Sequence, residues 1–183
     1  MSRINAINTD EATGKAKELL DAVQAKLGIT PNMTKTMAQS PAVLEAYLNF
    51  NGALGYSLTA KLREKIALLS AEENGCGYCA SAHTAVGKLA GLTEEETLTA
   101  RQGNDPDAKS DAALKFAKTV MEKRGNVSDE DLLTIRNAGH SDGEIAEMIA
   151  HVALNIFTNY FNVVAQTEID FPNAQPLTSA VRA

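Results

Sequence analysis

An all-α fold is predicted by three features of this 183-residue sequence. Apolar residues recur at three- and four-residue spacing along most of its length. Helix-capping residues, Ser, Thr and Asp in front and Gly behind, separate the apolar stretches. No alternating β-branched run is long enough to make a convincing strand.

Over 10–27, Ala12, Ala16, Leu19, Leu20, Val23 and Leu27 fall at helical spacing, and Gly28 supplies a stop. Pro31 and Pro41 sit at first-turn positions, opening short helices over 32–39 and 41–54. Gly55 and Ser57 break the chain before a helix over 59–73, where Leu62, Ile66 and Leu69 share a face. Asn74-Gly75 signals a turn, and a helix over 77–90 follows, ended by Gly91. Thr93 with Glu96 is a capping-box pattern for the next helix. Asn104-Asp105-Pro106 marks a boundary before a helix over 107–123, which Gly125 closes. Ser128 with Asp131 resembles a cap for a short helix to Asn137, and Ser141 with Glu144 caps a long last helix over 142–165. Pro172 and Pro176 belong to an irregular tail. Segments 90–96 and 138–144 echo each other, which shared helix punctuation explains. One domain is expected over 1–183: N-terminal helices 1–57, a helical hairpin and its following helix 58–103, C-terminal helices 104–165 and a tail 166–183.

Composition narrows the function. A net charge of −6 with scattered Lys and Arg argues against a nucleic-acid surface. Charged residues such as Asp10, Glu11, Lys15 and Asp21 interrupt any apolar leader. His151, Asn155, Thr158, Asn159 and Asn162 interrupt 148–164, making it a poor membrane span. A cytoplasmic protein is the expectation. In a reducing compartment paired cysteines are more often catalytic or metal-binding than structural.

Both cysteines lie in the stretch ENGCGYCASAH, residues 73–83, with one of three histidines. Placed at a helix start, Cys76 and Cys79 share one side of the first turn and are close enough to bridge. Unpaired N–H groups and the helix dipole there favour thiolate. His83 lies one turn beyond Cys79 on the same face, placed to take its proton directly or through a water. Folding 59–73 back across the Asn74-Gly75 turn brings Glu64 opposite His83. Cys79, His83 and Glu64 then read as nucleophile, base and orienter. Two ordinary buried thiols remain the plainer alternative. A structural zinc site lacks the second ligand pair it usually needs, so no metal is expected.

Other polar residues have less defined readings. His151, among Met148, Ile149 and Val152, reads as a core histidine or a substrate-side residue. His140, at a helix boundary, is expected to face solvent. Asn155, Asn159 and Asn162 form a stripe that either satisfies buried groups or lines a cavity near the cysteines. Tyr78 either flanks the substrate path or packs. Glu72 and Glu73 read as surface charges at a helix end.

Glu64, eleven residues, Cys76-Gly77-Tyr78-Cys79, three residues and His83 together resemble the AhpD-like alkylhydroperoxidases of the carboxymuconolactone decarboxylase superfamily. The stretch 157–172 resembles the ending of peroxidase-related members. The resemblance implies packed helices assembled as a trimer or hexamer, and a peroxide- or disulfide-reducing role without a cofactor. By it, Cys79 is the peroxidatic thiolate, Cys76 the resolving thiol, and His83 with Glu64 the proton relay. Hydroperoxide is the implied substrate, and a dithiol or partner redox protein the reductant. Well-studied members carry His where Tyr78 stands. The decarboxylase branch lacks paired cysteines, which argues against lactone decarboxylation. Two further readings keep the same residues: a protein or lipoyl disulfide reductase, and a non-enzymatic helical oligomer with redox-sensing cysteines.

Overall fold

The computed structural model describes residues 2–177, and every regular element among them is a helix. In order these are α1 (Gly14–Leu27), α2 (Asn32–Met37), α3 (Pro41–Ala53), α4 (Ala60–Glu73), α5 (Gly77–Leu89), α6 (Glu94–Arg101), α7 (Ala108–Glu122), α8 (Asp129–Asn137) and α9 (Asp142–Ala165). The capping chemistry sets several of these starts. Thr93, Ser128 and Ser141 each accept from the backbone N–H three residues on, and Glu96, Asp131 and Glu144 reach back to close the box.

The first helix departs from expectation, starting at Gly14 rather than at residue 10. Asn8 gathers the preceding stretch into a turn: its side chain accepts from the Asp10 N–H at 3.2 Å and its carbonyl from that of Glu11 at 3.1 Å. Ala12 is buried within this turn, so its helical spacing was accidental.

Helix α4 is the axis of the molecule, packing against α5, α6, α7 and α9. Its Ile66 and Leu69 are fully buried beside Leu114 of α7 and Met148 of α9 in the main core. A second core joins Leu20, Met37 and Leu44 of the first three helices, with Phe161 of α9 against it. The third and smallest cluster holds Cys76, Tyr78 and Cys79 with Ala71 and Ala80. On α5, a Cβ on Gly87 would lie 3.0 Å from the Leu92 Cδ1, while the Glu64 Cβ of α4 would stand at an ordinary 3.7 Å. The missing side chain there lets Leu92, in the turn after α5, fold back onto the helix.

Two polar expectations are corrected by this packing. His140 is only 4% exposed, its Nε2 lying 3.0 Å from the Lys109 carbonyl oxygen, because the turn before α9 folds onto the start of α7. Glu72 is not a free surface charge: the buried Arg101 donates to its Oε2 from Nε and Nη2 at 3.1 and 2.7 Å. Glu73 is an exposed charge at the helix end, as expected, and pairs with Lys118 at 2.9 Å. Both carboxylates sit at the wrong end of α4 for its dipole, and cations from α6 and α7 offset that cost. As for α9, its length and composition would suit a membrane span, but half of its apolar window is buried against the other helices.

The cap of α9 gives a test of stability. The Ser141 N–H, donating to Glu144 at 2.8 Å, and the Lys109 ammonium hold the Glu144 carboxyl down at about 2. A depressed carboxylate stabilises the fold above its unfolded value of 4.5 and loses that contribution as pH falls toward about 2. Glu144→Gln therefore lowers the unfolding temperature above pH 4.5. The difference from wild type shrinks through the acid limb of a thermal melt series. A pH-independent difference would remove Glu144 ionisation as the cause.

Candidate active site

The turn between α4 and α5 fixes where the cysteines stand. Gly75 adopts φ +64, a left-handed conformation that favours glycine, one residue past the C-cap Asn74. The Gly75 N–H donates to Glu72 O at 3.1 Å and the Cys76 N–H to Ala71 O at 2.8 Å. This pairing is a Schellman closure, and Ala71 and Cys76 share a small apolar cluster beside it. Chain direction reverses at once, and Cys76 becomes the N-cap of α5. Its Sγ accepts from the Cys79 N–H at 3.1 Å.

Cys76 and Cys79 are joined as a disulfide, with Cα atoms 5.3 Å apart, and are 2% and 3% exposed. Their burial differs in kind. Cys79 lines a cavity of about 340 Å³ walled by apolar groups including Val23, Leu48, Val86 and Phe171, whereas Cys76 lies behind that wall. Asn162 of α9 donates from Nδ2 to the Cys79 sulfur at 3.3 Å and lies 3.1 Å from the Met33 sulfur. The Thr158 carbonyl oxygen stands 3.9 Å from the same Cys79 atom.

On the next turn of α5, His83 Nδ1 lies 2.8 Å from Glu64 Oε2 of α4. A carboxylate accepts, so Nδ1 carries the proton and the Nε2 lone pair is left free. His83 and Cys79 line the same cavity, but no hydrogen bond joins them among the described residues.

The tail straps this region. The Asn32 N–H donates to Asp170 at 2.7 Å, Phe171 meets the Tyr78 ring edge-on at 5.8 Å, and Ala174 N–H donates to Ser81 Oγ at 3.1 Å. Arg101 then donates to the Gln175 carbonyl at 2.6 Å. Tyr78 both packs and faces the cavity: it is 5% exposed, and its hydroxyl accepts from the Met33 N–H at 3.2 Å. Burial, reinforced by Asp170, raises its phenol far above the usual range, so it stays neutral.

A second cavity of about 310 Å³ adjoins the first, and Lys26, Tyr47, Asn51, His83 and Thr158 line both. His151 belongs to this second space, away from the cysteine wall. Burial lowers its pKa against the pull of Glu147, whose Oε1 is 3.7 Å from Nε2. Burial would raise Glu147, but N–H groups of Ser57 and Gly55, donating at 2.7 and 2.6 Å, bring it down. Tyr47 is pushed up to about 12 by burial and by the Glu64 charge, which keeps its phenol protonated.

Glu64, Cys76, Cys79 and His83 are thus gathered on one hairpin, with Tyr78 against the tail and His151 one cavity away. Asn162 is the member of the α9 stripe that reaches Cys79, whereas Asn159 accepts from Asn74 Nδ2 at 2.9 Å and steadies the turn. Met33, Lys26 and Tyr47 carry no signal in the sequence, since each enters from a helix remote in the chain, and sequence reasoning also misses Arg63, beside Glu64 on α4. No group of His, Cys, Asp and Glu among the described residues has the arrangement of a metal site.

Known proteins share this architecture. The carboxymuconolactone decarboxylase family model matches residues 41–122, which run from α3 to α7 and contain the whole hairpin. No curated protein matches the chain in sequence. An uncharacterized peroxidase-related protein from Ralstonia eutropha JMP134, described as an alkylhydroperoxidase AhpD core, superimposes with a TM-score of 0.81 at 25% identity, covering 92% of each chain. A peroxidase-related protein from Silicibacter sp. TM1040 gives 0.76 at 24% identity, covering 91% of this chain and 92% of its own. The debrominase Bmp8, solved with 2,3,4-tribromopyrrole, gives 0.77 at 18%, covering 92% and 91%, and shares the fold. By the family match over the hairpin and the AhpD core fold along 92% of its length, the chain is similar to the AhpD-like proteins of the carboxymuconolactone decarboxylase family.

Proposed function

We propose that the protein is a thiol-dependent peroxidase that reduces organic hydroperoxides through a Cys76–Cys79 dithiol cycle. One observation carries the reading: Cys79 opens on an apolar cavity whose wall also holds His83, itself bonded to Glu64 at 2.8 Å. The family-model match over 41–122 and the likeness to a peroxidase-related AhpD core support the same chemistry.

In the reduced protein, His83 takes the Cys79 proton through water, and the α5 N-terminus favours the resulting thiolate. Asn162 Nδ2 supplies a fixed donor to that sulfur. The thiolate attacks the terminal peroxide oxygen; the O–O bond breaks, and the alkoxide leaves as an alcohol with the proton held by His83. Cys79 is then a sulfenic acid. The Cys76 thiol displaces its hydroxyl as water, forming the disulfide. An external dithiol reopens it by exchange and is itself oxidised to a disulfide. The apolar walls suit an organic hydroperoxide better than hydrogen peroxide, and dispersion contacts there add binding that the smaller substrate lacks.

Mass spectrometry of the reduced protein after one equivalent of cumene hydroperoxide tests the reading. A loss of two hydrogens mapping to the peptide with Cys76 and Cys79 is expected. Persistence of both free thiols rules the proposal out. We further propose that the exposed Ile149, Phe157, Tyr160 and Val164 on one side of α9 serve assembly into an oligomer.

A further inference from the structure

The second cavity holds cationic and donor groups that the peroxide cycle does not use. Arg63 is half-buried on α4 beside Glu64, and its side chain makes no hydrogen bond or ion pair among the described residues. Its guanidinium lies against Gly55, where a Cβ would overlap Nη1; at φ +119 the backbone there also favours glycine. The glycine thus makes room for an arginine that neutralises nothing. Lys26 of α1 enters from the opposite wall, also without an ion pair.

Independent support comes from His151. It is 6% exposed, it lines this cavity, and its Nε2 is buried without a hydrogen-bond partner. A buried polar atom left unpaired is costly and asks for a ligand or water. The Tyr47 phenol, a donor at all working pH values, and Asn51 complete the lining. The nearby acids are already engaged: Glu64 by His83, and Glu147 by the Gly55 and Ser57 N–H groups. Two uncommitted cations therefore face a polar chamber that shares a wall with the apolar chamber at Cys79.

We infer that this chamber is a carboxylate subsite, and that the substrate is an amphipathic hydroperoxide with its acid head on Arg63 and its apolar chain at Cys79. The planar guanidinium fork matches a carboxylate in a way a lone ammonium does not, and Lys26, lining the same chamber, adds a second positive charge. The substrate class rests on the peroxidase reading. The anion subsite itself does not.

Binding separates the two. Calorimetric titration of the disulfide form with octanoate and with methyl octanoate requires no turnover. Octanoate should bind roughly tenfold more tightly than its ester, a difference expected of one charged pair in a partly closed site. Arg63→Gln should bring the ratio near one, with Arg63→Lys between. If Arg63→Gln fails to fold by circular dichroism, Lys26→Gln on the exposed face of α1 should still reduce the ratio about threefold. Equal affinity for acid and ester in the wild type overturns the inference, as does a ratio that survives loss of Arg63 or, in the second case, of Lys26. Failure to consume any hydroperoxide would sink the peroxidase reading and leave this binding result standing.

Discussion

Cys79→Ser should consume cumene hydroperoxide no faster than buffer, whichever dithiol is supplied. The hydroxyl of serine stays protonated where a thiol at a helix N-terminus ionises, and it lacks the nucleophilicity of sulfur toward an O–O bond. Cys76 cannot take over. It lies outside the cavity at 2% exposure, and as the N-cap of α5 its sulfur faces the Cys79 N–H. Cys76→Ser should behave differently. Serine is a good N-cap, so the helix start keeps its acceptor and a contribution of about 0.5–2 kcal/mol is preserved. That variant should complete one peroxide reduction and stall as a Cys79 sulfenic acid, trapped by dimedone and located by peptide mapping. Label on residue 76 in a Cys79→Ser protein, or wild-type turnover without Cys79, reverses the assignment of the two sulfurs.

The hairpin was legible in the sequence because its information is local. Gly75 sets the left-handed turn, Cys76 caps α5, and helical spacing then places His83 one turn beyond Cys79. Counting residues from that turn found Glu64 without any tertiary knowledge, because two helices joined by a tight turn must run side by side. Elements were legible for the same reason, their ends being written in capping boxes and glycines. Spacing failed at Ala12, where Asn8 makes a turn that imitates the start of a helix. It failed again at His140 and Glu72, whose partners Lys109 and Arg101 come from other helices. Cavity walls are the extreme case. Lys26, Met33, Tyr47 and Asn162 meet the hairpin from four helices, and only packing decides which residue of an amphipathic face arrives there.

His83→Gln should lower kcat/KM for hydroperoxide by about 10²–10⁴, the range for loss of a general base. Glutamine keeps an amide near Glu64 but has no basic nitrogen to take the Cys79 proton. Glu64→Gln is expected to cost less, roughly tenfold, because Glu64 reaches the sulfur only through the imidazole: its Oε2 accepts from Nδ1 at 2.8 Å and thereby directs Nε2 into the cavity. Glu64 is a positioning residue on this account, and the double variant discriminates it from a purely structural one. Glu64→Gln with His83→Gln should be no slower than His83→Gln alone, since orienting an absent base does nothing. Rate losses that multiply would mean that the carboxylate acts on Cys79 by a route separate from the imidazole, and one other than its field on the partly shielded thiolate. That field would oppose ionisation, so removing it would speed the first step rather than slow it. Single-turnover oxidation of Cys79, followed by thiol trapping, reads the sign of the Glu64 effect directly. A slower first step in Glu64→Gln, abolished as a difference in the His83→Gln background, is the outcome the hairpin geometry requires.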